Sequence, residues 1–154
     1  MILVTLGTQK EQFTRLLDYI EKANINEEII VQAGHTQYES NKMKILDFIT
    51  YNEMEQYIND ANVIITHAGT GSVLTPLKKG KKIIVCARQK KYGEHIDDHQ
   101  LELVEVFKDG GYVLELNETN SLNELLKEIK KFKPVKYVSN TKKFTEKLLE
   151  EIEK

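Results

Sequence analysis

The feature that most constrains the fold is a series of short apolar runs that are continuous, such as Ile2–Leu6 and Lys82–Cys86. A strand with one solvated face alternates apolar and polar residues, whereas a strand buried on both faces is apolar throughout. The chain is therefore predicted to form a parallel sheet with helices on both faces. The predicted strands are Ile2–Leu6, Glu28–Gln32, Lys44–Ile49, Asn62–Thr66, Lys82–Cys86 and Tyr112–Leu116.

Helical periodicity occupies the segments between several of these strands. Apolar residues recur at i, i+3, i+4 and i+7 over residues 13–20, 54–61 and 122–129, with Ser121 and Glu124 placed as a capping box before the last. A final helix from about residue 140 would carry Phe144, Leu148 and Ile152 on one stripe, which would pack either on a partner or on the sheet of this chain. Strand–helix alternation at this spacing predicts one Rossmann-like α/β domain spanning residues 1–154.

Composition and charge exclude several classes of protein. The 22 basic and 24 acidic residues nearly balance, so nothing favours a nucleic-acid partner. No apolar run approaches the ~20 residues of a membrane span, and the start lacks a basic signal-peptide region. We therefore expect a cytoplasmic chain with at most peripheral membrane contact. The one cysteine, Cys86, lies in an apolar run and is predicted to be a buried structural thiol.

The loop after the fourth strand, His67-Ala68-Gly69-Thr70-Gly71-Ser72, carries the strongest functional signal. Ligands of open parallel sheets bind at the carboxyl ends of the strands. Glycines allow close backbone approach, and the start of the next helix offers free N–H groups and a positive dipole end. The loop is predicted to bind a diphosphate, although it lacks the lysine of a Walker loop. The alternative is a tight strand–helix turn that needs glycine.

The loop after the fifth strand is rich in polar residues between Glu94 and Gln100. A metal site is disfavoured because neighbouring Asp98 and His99 would point apart on a helix and no spaced histidine pair exists. Hydrogen bonding to a polyhydroxyl ligand, or helix capping, is favoured, so no metal or cofactor is expected. The basic residues between Lys78 and Lys91, including Arg88, are interpreted as a solvated surface rather than an anionic lipid site.

Three motifs in this order, Ile2–Thr8, His67–Ser72 and Asp97–Leu103, resemble the small family-28 glycosyltransferase subunits. That family includes PssE-type bacterial capsule and exopolysaccharide proteins and the catalytic subunit of the dolichol-linked N-acetylglucosaminyltransferase. The resemblance implies the C-terminal half of a GT-B enzyme, which binds the UDP-sugar donor. It also implies inverting, metal-independent transfer to a lipid-diphosphate-linked sugar, with a membrane-anchored partner supplying the acceptor half at the inner face of the membrane.

The resemblance also assigns roles to individual residues. Phe48 and Ile49 match the uracil-side loop, and His99 and Gln100 match a polar pair on the donor sugar. The diphosphate loops correspond to Gly7, Thr8, Gly69, Thr70, Gly71 and Ser72, and His67 lies beside them. His67 and Glu94 are the candidate general bases, unless the base lies on the partner.

One departure concerns Thr75, which stands where related enzymes carry a glutamate that binds the ribose hydroxyls. Thr75 is followed by Pro76, which is expected either to kink the helix or to delay its start. The replacement of this glutamate by Thr75 puts recognition of the donor ribose in question.

We therefore expect the donor-binding subunit of a two-component UDP-hexose transferase in capsule or exopolysaccharide synthesis, with galactose the favoured sugar. The alternative is a non-catalytic subunit that binds a nucleotide sugar or stabilises its partner. A different nucleotide-sugar enzyme, such as an epimerase, is disfavoured because no second domain is present to close over the sugar.

Overall fold

The computed structural model describes residues 1–137 and contains a six-stranded parallel sheet. The helix predicted around Phe144, Leu148 and Ile152 lies outside the described residues. The strands are β1 (Ile2–Thr5), β2 (Ile29–Gln32), β3 (Lys44–Leu46), β4 (Val63–Thr66), β5 (Lys82–Val85) and β6 (Leu114–Glu115).

The strand order is β3-β2-β1-β4-β5-β6, with every neighbouring pair parallel. The chain begins in the middle of the sheet, builds outward to β3, and then crosses back to β4 on the other side of β1. The direction of winding therefore reverses between β1 and β4. This is the order of a doubly wound Rossmann-like sheet, and it confirms the predicted fold class.

Helices cover both faces of the sheet because the strands are apolar on both sides. Ile2 and Val4 of β1 pack into the core under α1 and α5, whereas Leu3 packs into the core under α2, α3 and α4. The helices are α1 (Thr14–Lys22), α2 (Tyr51–Asp60), α3 (Thr70–Lys78), α4 (His99–Asp109) and α5 (Leu122–Lys131), and one 3-10 turn spans Lys90–Tyr92. Within residues 1–137, no helix combines the length and apolar character needed to cross a bilayer.

The structure differs from the sequence prediction mainly at the ends of elements. The third strand stops at Leu46 rather than Ile49, which frees Asp47 to Ile49 to form a loop. The predicted capping box at Ser121 is wrong, since its side chain makes no capping hydrogen bond. A cap forms instead at Thr50, whose Oγ1 accepts a hydrogen bond from the Glu53 N–H at 3.2 Å and donates to its carboxylate at 2.8 Å.

Helix α3 begins at Thr70 and continues through Pro76, so the expectation of a later start is wrong. Pro76 lies in the last turn, where the loss of one N–H affects only the carbonyl of Ser72. The helix ends at Lys78 and is followed by Gly80, which has φ +72°; the Gly80 N–H donates to the Leu77 carbonyl and the Lys81 N–H donates to the Pro76 carbonyl. These two hydrogen bonds form a Schellman ending.

Candidate functional site

A cleft forms where the carboxyl ends of β1 and β4 meet, at the point where the winding of the sheet reverses. The loops that follow these two strands lead to α1 and α3, which pack on opposite faces and leave a crevice between them. The cavity has a volume of about 370 Å³. Its lining residues are Gly7, Thr8, Gln9, Gln32, Phe48, Ile49, Met54, His67, Gly69, Thr70, Gly71 and Ser72.

The structure thus brings together residues that are far apart in the sequence but were assigned to one site. The loops after β1, β3 and β4 all contribute, as the parallel arrangement of their strands requires. Gln9, Gln32 and Met54 complete the wall and were not predicted. Thr75, His99, Gln100 and Glu94 are absent from it.

The start of α3 supplies the donors of this cleft. Its N-cap is Gly69, which has no side chain to satisfy the first turn. The backbone N–H groups of Thr70, Gly71 and Ser72 have no acceptor among residues 1–137. Unpaired N–H groups at the positive end of a helix dipole attract an anion, and the hydroxyls of Thr70 and Ser72 lie beside them.

His67 is a buried, neutral side chain that shapes the loop. Its Nδ1 accepts a hydrogen bond from the Gly69 N–H at 3.1 Å and lies 3.2 Å from Nε2 of Gln100, which donates to it. The ring proton must therefore be on Nε2, which lies 3.0 Å from Oγ of Ser72. Burial, with the positive charge of Arg88 as a second cause, lowers the pKa of His67 to about 3.

The glycines around His67 fall into two groups. A Cβ on Gly7, which has φ +84°, would lie 2.7 Å from His67 Nε2, and a Cβ on Gly69 would lie 2.3 Å from His67 Cε1. Packing of the imidazole ring therefore explains both of these glycines. A Cβ on Gly71 would meet nothing within 4 Å, so packing gives no reason for glycine there. Packing against His67 therefore accounts for Gly7 and Gly69, whereas the space in front of Gly71 is open for a ligand.

Gln32 at the end of β2 holds the first loop in place. Its Oε1 accepts the Gly7 N–H at 3.1 Å, and its Nε2 donates to the Gly7 carbonyl at 3.0 Å. The side chain is buried and bridges two neighbouring strands. The signal in the sequence was a polar residue at the end of an apolar strand, which is also where Thr5 and Thr66 stand.

Gln100 is a positioning residue behind the cleft rather than a residue of its wall. Its Oε1 accepts the N–H groups of Ala68 and Arg88, both at 3.0 Å, while its Nε2 donates to His67. It is 2% exposed, and its polar atoms are all engaged with protein. Gln100 therefore supports the loop from behind, and its direct contact with the donor sugar stays a prediction. His99, also predicted at the sugar, lies 3.4 Å from the Glu102 carboxylate at the start of α4 and does not line the cleft.

Glu94 is held in a buried ion pair. Arg15 binds both carboxylate oxygens at 2.9 Å, and the Gln89 N–H donates to the same carboxylate at 3.0 Å. The pair pins the loop after β5 to α1. Neither Glu94 nor His67 therefore presents a free basic atom to the cleft, and the structure disfavours both as general base.

Arg88 is buried, which corrects its placement in a basic surface cluster. Its guanidinium donates to the backbone carbonyls of Leu6, Glu11 and Glu94, joining the loops after β1 and β5. Burial lowers its pKa to about 10.

Cys86 is buried as predicted, and burial raises the pKa of its thiol to about 12. Across residues 1–137, no three His, Cys, Asp or Glu side chains are grouped as metal ligands would be.

A second cavity of about 200 Å³ continues from the cleft between α2 and α3. Gln32, Met54, Gly71 and Ser72 line both cavities, so the two are contiguous. Thr75 lines this second cavity instead of the cleft, opposite Tyr51 and Glu55 of α2.

Comparison with known proteins places this geometry in a family. The model of the glycosyltransferase family 28 C-terminal domain matches residues 1–153. The UDP-N-acetylglucosamine transferase subunit ALG13 of Saccharomyces cerevisiae is 36% identical over 47% of this chain and 34% of its own length. The protein of the same name from Debaryomyces hansenii is 27% identical over 82% of this chain and 65% of its own. The chain thus spans about one third to two thirds of the length of these two relatives.

Solved structures share the fold. An NMR structure of ALG13 superimposes with a TM-score of 0.59 at 22% identity, covering 99% of this chain and 96% of that one. The glycosyltransferase SnogD from Streptomyces nogalater superimposes with a TM-score of 0.55 at 16% identity, over 86% of this chain and 40% of its own. The sheet corresponds to the C-terminal half of such GT-B enzymes. The chain belongs to the glycosyltransferase family 28 C-terminal domain family.

Proposed function

We propose that the chain is the donor-binding subunit of a UDP-sugar glycosyltransferase and that the cleft between β1 and β4 holds the donor diphosphate. The observation that carries this proposal is at Gly71. Its missing side chain faces open space in both cavities, next to three backbone N–H groups that have no acceptor within residues 1–137. A helix start left open in this way suits a ligand that is anionic and approaches the backbone closely.

The sugar that we propose is N-acetylglucosamine. Both relatives described above are named as UDP-N-acetylglucosamine transferase subunits, which favours this sugar over the galactose expected from the sequence alone. We assign the exposed Phe48 and the half-buried Ile49, in the loop after β3, to the uracil, because they line the cleft on the side away from β5.

The chemistry that this chain supplies is stabilisation of the leaving UDP. Negative charge develops on the diphosphate as the glycosidic bond breaks, and the helix dipole with the N–H groups of α3 can offset it without a metal ion. The acceptor hydroxyl must also lose a proton, and His67 and Glu94 are both engaged in the fold. We therefore assign the general base of an inverting transfer to a partner subunit.

A partner is also supported by the surface at this edge of the sheet. Tyr51 is 78% exposed and Ile96 is 76% exposed, and both follow the carboxyl ends of strands, on the side of the cleft. Contiguous exposed apolar patches are typical of surfaces that another protein covers, and we propose that these two side chains belong to one such patch. We propose that this partner is membrane-anchored and presents a lipid-linked acceptor.

Titration calorimetry of the chain with UDP, UDP-N-acetylglucosamine, UDP-galactose, GDP and NAD tests the donor assignment. We expect UDP and its sugars to bind without added divalent metal, UDP-N-acetylglucosamine more tightly than UDP-galactose, and GDP and NAD weakly. Equal binding of all five nucleotides, or binding of NAD alone, would contradict the proposal.

The second candidate is a non-catalytic subunit that binds the nucleotide sugar and stabilises its partner. The observation that favours it is the lack of a free basic side chain among the residues that line the cleft. Transfer of labelled sugar from the UDP donor to lipid-diphosphate acceptors distinguishes the two. In the first case the chain together with its partner transfers sugar and Gly71→Val in this chain abolishes that transfer, whereas in the second case Gly71→Val leaves the transfer unchanged.

A further inference from the structure

The donor cleft has no cationic side chain in its wall. Among residues 1–137, those that line the cleft include neither lysine nor arginine. The dipole of α3 contributes the equivalent of only about half an elementary charge, whereas UDP carries negative charge on both of its phosphate groups. A second source of positive charge is therefore expected close to the cleft, behind the residues that form its wall.

Arg88 is a buried cation directly behind one wall of this cleft. It is 0% exposed and stands in the loop after β5. One guanidinium nitrogen donates to the backbone carbonyl of Leu6, the residue before Gly7, and another donates to the carbonyl of Glu11 at 2.8 Å. These two acceptors flank the part of the loop after β1 that lines the cleft. The charge therefore lies beneath the main chain of that loop rather than on its surface.

The positive charge of Arg88 is not cancelled by an ion pair. Within residues 1–137 its guanidinium contacts no carboxylate, and its buried Nε has no hydrogen-bond acceptor. The buried carboxylate of Glu94 has both oxygens bound by Arg15 at 2.9 Å, and the second partner of Arg15, Glu118, lies 3.9 Å away and is partly exposed. Burial lowers the pKa of Arg88, and the charges of Glu94 and Glu11 oppose this effect without reversing it. The two guanidinium groups thus share one buried carboxylate, which leaves positive charge in excess.

We propose, on the basis of the proposed function, that Arg88 determines donor affinity electrostatically, by attracting the diphosphate from behind the loop after β1 without contacting it. Coulomb attraction falls only with the inverse of distance, and it is stronger where protein rather than water separates the charges. The start of α3 acts from the other side of the crevice, so the bound diphosphate lies between two sources of positive charge. An unpaired buried charge destabilises a fold, and binding of an anion offsets this cost.

His67 shows that the charge of Arg88 reaches the cleft. The imidazole lines the cleft, and its pKa is lowered first by burial and then by the positive charge of Arg88. The field that disfavours a proton on His67 favours negative charge at the same place. The two residues are also linked structurally, because the Arg88 N–H and His67 Nδ1 are both hydrogen-bonded to Gln100.

The alternative is that Arg88 serves the cleft only by holding its loops, and the two roles depend on different properties of the side chain. Bridging of several carbonyls requires the planar guanidinium with its many N–H groups, which lysine does not reproduce. The electrostatic effect requires only the charge. Bridging also affects every ligand of the cleft alike, whereas the electrostatic effect grows with the charge on the ligand.

The test compares UDP, UMP and uridine, whose negative charge decreases in that order, by NMR titration at about pH 6.5. Arg88→Met removes the charge and should weaken UDP by about tenfold, UMP by about threefold and uridine by less than about twofold. Arg88→Lys keeps the charge, since this pH lies well below the usual pKa of lysine. It should hold the ratio of UDP affinity to uridine affinity within about threefold of the wild type.

Lys10→Met is the matched control for the loss of a positive charge. Lys10 is exposed and belongs to the same loop after β1, but it does not line the cleft. Because solvent and salt screen an exposed charge, the variant should change all three affinities by less than about twofold.

The outcomes separate this inference from the proposed function. If Arg88→Met weakens the three ligands by one common factor, or if Arg88→Lys weakens UDP as much as Arg88→Met does, Arg88 only holds the loops and the electrostatic role is wrong. A charge-dependent loss in Lys10→Met in place of Arg88→Met would assign the attraction to Lys10 and overturn it as well. In each of these cases the donor cleft stands, whereas failure of the wild-type chain to bind UDP overturns both proposals. Circular dichroism checks that the variants fold, and Arg88→Gln, which is neutral but can still donate to a carbonyl, replaces Arg88→Met if the latter does not.

Discussion

At the scale of single residues, the cleft depends on His67 and on the side chains that surround it. The ring is packed against Gly7 and Gly69, receives the Gly69 N–H, and is oriented by Gln100 from 33 positions further along the chain. The imidazole ring must be neutral in this arrangement. A proton on Nδ1 would face the two groups that donate hydrogen bonds to that atom, the Gly69 N–H and Nε2 of Gln100. His67, which the sequence suggested as a general base, thus has a structural role: its ring fixes the conformation of the loop after β4.

The buried neutral state of His67 predicts a specific dependence of stability on pH. Its pKa falls from 6.5 to about 3 on folding, so between these values the unfolded chain binds the proton more strongly. This contribution to stability is fully present above pH 6.5 and is lost as the pH falls toward 3. Between pH 7 and pH 5 the free energy of unfolding should fall by about 2 kcal/mol from this group.

Urea unfolding at both pH values measures this change. His67→Gln should flatten the dependence, whereas His35→Gln, at an exposed position, should keep the wild-type slope. Equal slopes for wild type and His67→Gln would show that His67 does not carry the effect.

At the scale of elements, α3 is unusual at both ends. Its first turn has a glycine N-cap and unpaired N–H groups, and its last turn contains Pro76. Glycine within a helix lowers stability by roughly 1 kcal/mol relative to alanine. Gly71 therefore costs the fold stability without relieving any clash, which indicates a functional requirement at this position.

The prediction for α3 is that Gly71→Ala raises stability and weakens nucleotide binding. The melting temperature should rise, by an amount equivalent to no more than about 1 kcal/mol. UDP affinity should fall by at least about tenfold, since a methyl group would displace a charged phosphate contact. Gly69→Ala is the comparison: its Cβ would lie 2.3 Å from His67 Cε1, so it should destabilise the fold. Gly71→Ala with wild-type affinity would remove the main support for the site.

The sequence could predict the elements and the loops of the site, but not how the site is held together. Continuous apolar runs located the strands because burial on both faces leaves a local pattern. Glycine alone could not reveal that Gly69 accommodates a ring while Gly71 faces open space, since both occupy the same short loop. The roles of Gln100 and Arg88 depend on contacts across the sheet, which no local pattern encodes.

At the scale of the whole molecule, the order of the strands determines where the site lies. Reversal of winding between β1 and β4 opens one crevice at the carboxyl edge of the sheet, and the loops after β1, β3 and β4 converge on it. Arg88, Gln100 and the Arg15–Glu94 pair fix the loop after β5 behind that crevice. The fold thus provides a rigid wall, and the proposed partner would provide the opposite wall and the acceptor.

The most direct test of the donor cleft is an NMR titration of the ¹⁵N-labelled chain with UDP, following every backbone amide. The account predicts that the largest chemical-shift changes fall on Gly7, Thr70, Gly71 and Ser72, with smaller changes at Phe48 and Ile49. These are the amides of the two loops proposed to hold the diphosphate and of the proposed uracil contact. Saturating UDP that leaves these amides unchanged, or that mainly shifts the lysine-rich segment at residues 78–82, would contradict it.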